Sequence, residues 1–175
     1  MNKMLKIVVP IVLGSALLLI GCQYGGETPE GPVEGTQIGN LAPNFQLQDL
    51  DKQTLSLRNL RGKPVLINFW TSWCSFCREE MAYLQQIHEE WSGKGLVLLT
   101  INISESPLAV KEFSGTYNLS MTMLLDTAGD VADKYNIPGI PTTFFIDKNG
   151  IIRGKVIGPF PGKAAIEDYL SRIIP

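Results

Sequence analysis

The sequence predicts an α/β domain: a mixed β-sheet flanked by helices, opened by a β-hairpin and closed by a C-terminal helix. Three observations carry this. Pro64 to Trp70 and Leu96 to Ile103 are nearly continuous runs of apolar and β-forming residues, the pattern of strands buried on both faces. An amphipathic helical pattern lies between them, and helix and strand patterns alternate after them. Near the C-terminus, Asp147-Lys148-Asn149-Gly150 separates two apolar runs, and Asn-Gly is a strong hairpin signal. With 175 residues, 45% apolar and 18% charged, the chain suits one such domain plus a tail. Its formal charge of −2 includes no basic block, which argues against a nucleic-acid partner.

The first segment reads as an address. Lys3 and Lys6 precede an apolar run from Ile7 to Ile20, the order of a secretory leader. Those 14 residues include Pro10 and Gly14 and fall short of the ~20 apolar residues that a membrane span needs. Leu19-Ile20-Gly21-Cys22 resembles the lipobox of bacterial lipoproteins, which implies cleavage before Cys22 and acylation of its thiol and new amino group. Several acyl chains hold a protein on a membrane where one does not. Residues 1–21 are therefore expected to be a signal peptide, residues 22–40 a lipidated cysteine and flexible tether, and residues 41–175 the domain. Removing the leader leaves 154 residues with 13 basic and 17 acidic side chains, a net charge of −4. From Gln23 to Asn40 the chain is rich in Gly and Pro and carries Glu27, Glu30 and Glu34, too polar to order itself. As a coil it reaches roughly 20 to 25 Å, which favours partners in the same membrane.

The domain elements follow in order. Phe45 to Gln48 and Thr54 to Leu57 alternate apolar and polar residues around a turn, giving the hairpin. Pro64 to Trp70 is a central strand. Cys77, Met81, Leu84, His88 and Trp91 form one stripe of a helix that ends near Gly93 to Gly95, with His88 a core or partly buried scaffold residue. Leu96 to Ile103 is a second buried strand, Pro107 to Tyr117 a helix, Met121 to Leu125 a short strand, and Asp130 to Tyr135 a small helix. Thr142 to Ile146 and Ile151 to Ile157 flank the Asn-Gly turn, and Ala164 to Ile174 is the closing helix.

Of three cysteines, Cys22 adjoins the leader, whereas Cys74 and Cys77 open a helix directly after a strand. A thiol at a helix N-terminus meets unpaired N–H groups and the positive end of the macrodipole, which favours thiolate. Cys74 is then the nucleophile, and Cys77, one turn on, can resolve a mixed disulfide. A structural crosslink across so short a loop removes little unfolded-state entropy. A zinc site needs two more ligands, and only His88 and Cys22 are on offer. Covalent haem calls for histidine after the second cysteine, where Arg78 stands. No metal or other cofactor is expected.

The stretch Asn68-Phe69-Trp70-Thr71-Ser72-Trp73-Cys74-Ser75-Phe76-Cys77-Arg78-Glu79-Glu80 resembles the active site of the TlpA/ResA family of thioredoxin-like thiol-disulfide oxidoreductases. The similarity covers roughly residues 38 to 175, and Ala42-Pro43-Asn44-Phe45 resembles the opening of the redoxin branch. It implies a thioredoxin-like fold with an N-terminal hairpin and a helix-strand insertion. Pro141, in Gly139-Ile140-Pro141-Thr142-Thr143-Phe144, matches the proline that is cis in this fold and turns the backbone of Ile140 toward a bound peptide. Glu80 matches the acidic residue that the cytochrome c maturation members carry after the second cysteine. Sharing the face of Cys77, it could accept or return a proton during resolution. Thioredoxins have aspartate where Asn68 stands, and Glu80 is the obvious substitute. Trp73 is expected to shield the couple and border the substrate groove; Phe76, where many relatives have proline, to offer an apolar contact or pack beside Tyr83.

The resemblance further implies a reductase of exported protein disulfides, with apocytochrome c as substrate and a membrane thiol carrier of the CcdA/DsbD type as electron donor. The chain is expected to act as a monomer, held by its lipid to the outer face of a bacterial cell membrane. Two other classes compete. Thiol peroxidase is suggested by the redoxin-like opening and by Thr71, three residues before Cys74, although the proline those enzymes carry seven before the nucleophile is Ile67 here. A copper-carrying lipoprotein of this fold would have a wider cysteine spacing and a loop histidine, whereas His88 lies along the active-site helix.

Overall fold

A computed structural model describes residues 31–174, so the expected leader, Cys22 and the tether up to residue 30 lie outside the described residues. The strands are β1 (Gln46–Asp49), β2 (Thr54–Ser56), β3 (Val65–Trp70), β4 (Val97–Ile103), β5 (Thr122–Asp126), β6 (Thr142–Ile146) and β7 (Ile152–Ile157). They form one mixed sheet in the order β2-β1-β5-β4-β3-β6-β7. β3 pairs in parallel with β4, β4 in parallel with β5, and the flanking pairs are antiparallel. The helices are α1 (Ser75–Trp91), α2 (Pro107–Thr116), α3 (Asp130–Lys134) and α4 (Lys163–Leu170). None of the described helices is long and apolar enough to cross a membrane.

Alternation along β3 sets up two cores. Leu66 and Trp70 face a cluster with Cys77, Met81, Leu84 and Ile87 of α1 and with Ile166 and Leu170 of α4. Val65, Ile67 and Phe69 face the other, built on Phe45, Leu57, Val131, Tyr135 and Phe144. Every residue of β3 is buried, as its apolar run predicts. Asn68 is the polar member, and the register puts it between Thr100 of β4 and Thr143 of β6.

On α1 the expected stripe is shifted. The buried residues are Cys77, Glu80, Met81, Leu84 and Ile87, while His88 sits at the margin, half-buried. A period of 3.6 admits position 87 or 88 after 84, and the larger apolar side chain takes the inner one. Glu80 is inside despite its charge because it has partners there.

Residues before 41, inside the expected tether, are also hydrogen-bonded to the sheet. The Gly39 N–H donates to the Ile152 carbonyl at 2.8 Å, the Ile152 N–H to the Asn40 carbonyl at 2.9 Å, and the Ala42 N–H to the Gly150 carbonyl at 2.9 Å. Composition argues from what a segment can bury alone, whereas this one satisfies backbone groups at the edge of β7.

Candidate active site

β3 delivers the chain to the C-terminal edge of the sheet, and α1 starts five residues after its end, at Ser75. Cys74 is the N-cap of α1, and it is joined to Cys77 in a disulfide with a Cα separation of 5.2 Å. The Cys77 N–H donates to the Cys74 sulfur at 3.1 Å. This is the helix-terminus environment the sequence predicts, and on reduction the same donor would face the Cys74 thiolate. Exposure separates the two residues slightly: Cys74 retains 7% of its surface and Cys77 none.

The Ile140-Pro141 peptide bond is cis, and the Ile140 carbonyl oxygen lies 3.9 Å from the Cys74 sulfur. Around this point Trp73 is 70% and Phe76 56% exposed. Neither side chain is packed into the core, so both stand in solvent beside the couple. Phe76 and Tyr83 line a cleft of about 400 Å3 between α1 and Pro159-Phe160-Pro161, with Glu79 and Glu80 on the same wall.

Beneath the cysteines, Glu80 and Asn68, paired by analogy in the sequence, are in direct contact. Asn68 Nδ2 donates to Glu80 Oε1 at 2.7 Å and to Thr143 Oγ1 at 2.9 Å. The Phe160 N–H donates to Glu80 Oε2 at 3.2 Å. Only 1% of Glu80 is exposed. Burial pushes its carboxyl up to about 7, with the Phe160 and Asn68 donors pulling in the other direction. A carboxyl in that range can take or give a proton near neutrality. Thr71, the residue behind the peroxidase alternative, is buried, and its hydroxyl has no hydrogen-bond partner among the described residues.

Several contacts at the site were not foreseen from the sequence. Phe160 reaches Glu80 across 80 residues of chain. Glu105, beyond the end of β4, accepts from the Ser72 N–H at 2.7 Å and from Asn102 Nδ2 at 2.6 Å. Arg78 Nη1 donates to the Ser72 carbonyl at 3.2 Å. No sequence signal pointed to these; the strand register pairs Trp70 with Asn102 and so brings the end of β4 beside the loop before Cys74. Among the described residues, no three His, Cys, Asp or Glu side chains gather into a metal-binding group.

Comparison with known proteins gives three findings. The model of the AhpC/TSA family matches residues 38–155. The thiol-disulfide oxidoreductase ResA of Bacillus cereus is 36% identical over 142 residues, spanning 81% of this chain and 82% of that protein. Among solved structures, a thiol:disulfide interchange protein of the thioredoxin family from Chlorobium tepidum superposes with a TM-score of 0.70 at 28% identity, over 77% of this chain and 95% of that one. A secreted disulfide oxidoreductase of Mycobacterium tuberculosis, homologous to DsbE, gives a TM-score of 0.65 at 26% identity, over 73% and 95%.

Proposed function

The chain belongs to the AhpC/TSA family and is a ResA-like thiol-disulfide oxidoreductase of thioredoxin-like fold, and on that premise we propose that it reduces disulfides of exported proteins, apocytochrome c among them. The observation that carries this reading is the arrangement of a slightly exposed cysteine at the cap of α1, a fully buried cysteine one turn on and a buried carboxyl on the same helix, with Glu80 pushed up to about 7.

In the proposed reaction the Cys74 thiolate attacks one sulfur of the target disulfide. The other target sulfur leaves as a thiolate and takes a proton from water. Cys77 passes its proton to the Glu80 carboxylate, and its sulfur then attacks Cys74. The second target sulfur leaves and receives that proton from Glu80. The target gains two electrons, and the couple is left as the Cys74–Cys77 disulfide. Trp73, Phe76 and the backbone of Ile140 before Pro141 hold the target segment beside Cys74. Recharging falls to a membrane thiol carrier of the CcdA/DsbD type. A lipid on Cys22 would keep the enzyme on the outer face of the membrane beside it. The secreted relative and the basic-then-apolar leader support an extracytoplasmic location.

The test is deletion of the protein followed by scoring of covalent haem in c-type cytochromes, with and without added external thiol. Loss of haem attachment that thiol restores is the expected result. Loss that thiol does not restore refutes the reductase reading, and so does a Cys74/Cys77 potential near about −120 mV, the range of a strong oxidant. Rapid peroxide turnover by the purified protein would favour the peroxidase reading instead.

A further inference from the structure

The loop that carries the chain from β3 into α1 is held from two sides by groups that the exchange chemistry leaves unused. Glu105 takes the Ser72 N–H on Oε2 at 2.7 Å and the Ser72 hydroxyl on Oε1. Asn102, 1% exposed, donates to the same Oε2 at 2.6 Å, which ties the carboxylate to the end of β4. On the opposite side of Ser72, Arg78 takes the carbonyl at 3.2 Å, and the Cys74 N–H closes back on the Thr71 carbonyl at 3.3 Å. Hydrogen bonds to an ionised carboxylate are roughly twice as strong as neutral ones, and three converge here on one side chain. An idle surface glutamate has no reason to collect a backbone N–H, a hydroxyl and a buried amide.

We propose that Glu105 is a positioning residue for thiol-disulfide exchange: it pins Ser72 to the sheet and thereby holds the Cys74 sulfur over the N–H groups of the first turn of α1. Cys74 follows Ser72 by two residues, and its N-cap conformation, φ −75° and ψ 113°, is what aims the sulfur at the Cys77 N–H. Hydrogen bonds weaken steeply with angle, so a loosened loop costs the thiolate its donor. A carboxylate acting only through its charge predicts the opposite sign, because a nearby negative charge disfavours thiolate and its removal would make Cys74 more acidic. The sign of the change therefore tells pinning from charge.

The inference rests on Cys74 being the attacking sulfur. The experiment measures alkylation of Cys74 against pH, resolved by peptide mass spectrometry, in the reduced full chain carrying Cys77→Ser. Adding Glu105→Ala is expected to raise the midpoint by about one pH unit and to slow alkylation at pH 7 about tenfold. Glu105→Gln keeps one acceptor and is expected to fall between. Ser72→Ala removes one donor and is expected to have a smaller effect, adding nothing on top of Glu105→Ala. An unchanged or lowered midpoint in Glu105→Ala overturns the proposal; should that variant not fold, the same outcome in Glu105→Gln overturns it. A Cys74 no more acidic than a free thiol in the Cys77→Ser parent sinks the nucleophile reading itself, whereas an acidic Cys74 indifferent to Glu105 sinks this inference alone.

Discussion

Replacing Glu80 by glutamine tests whether the carboxyl under the couple is as costly to ionise as its burial implies. Burial lifts its pKa from the ordinary 4.5 to about 7 in the fold, so between those values the folded state binds more protons than the unfolded one. Stability from this group is therefore complete below about pH 4.5 and is lost as pH rises through about 7. At 1.36 kcal/mol per unit, the loss between pH 5 and pH 8 is about 2.5 kcal/mol. Glutamine has similar shape, still offers a carbonyl oxygen to Asn68 or Phe160, and does not titrate. The assay is urea unfolding of the oxidised protein at pH 5, 6, 7 and 8, wild type beside Glu80→Gln. With a slope of roughly 2 kcal/mol per molar urea, the wild-type midpoint is expected to fall by about 1 M relative to the variant across that range. Every other titratable group is present in both proteins, so their difference isolates Glu80. Parallel curves would refute the reasoning: either Glu80 ionises freely in the fold or water reaches it.

Three further outcomes follow from the same geometry. Asn68→Asp would set two carboxyls 2.7 Å apart where an amide now donates, and the pair is expected to hold one proton well above neutrality; a stability-against-pH slope equal to that of the wild type would contradict this. Tyr135→Phe removes the hydroxyl that donates to the buried Pro43 carbonyl at 2.7 Å and is expected to cost about 1–2 kcal/mol in urea unfolding without altering disulfide exchange. Trp73→Ala, at a side chain 70% exposed, is expected to change folding stability by less than ~0.5 kcal/mol. The same substitution should raise KM for a protein disulfide several-fold while leaving exchange with a small disulfide unchanged, and equal losses on both substrates would show that Trp73 does not bind the target.

The sequence alone determined the element order, because each element announces itself through local chemistry: the apolar run of β3, the Asn-Gly turn between β6 and β7, and the Cys-x-x-Cys at a strand-helix junction. It also placed Cys74 as the cap of α1, the position at which a helix N-terminus favours thiolate. Periodicity was less decisive on α1, where two adjacent positions satisfy the same repeat and only the packing against the sheet and α4 selects Ile87 over His88. Composition misjudged residues 33–40, since it weighs what a segment buries and not whose backbone it can pair with. Resemblance linked Glu80 to position 68, but only the parallel and antiparallel registers of β3 place Asn68 in a polar row with Thr100 and Thr143 under α1, and only the return of the chain at Phe160 supplies the second donor. The clamp of Glu105 on Ser72 is likewise tertiary. A local pattern records what neighbours along the chain prefer, whereas a buried carboxyl's proton affinity and a loop's rigidity depend on groups 33 to 80 residues away that folding alone brings within hydrogen-bond reach.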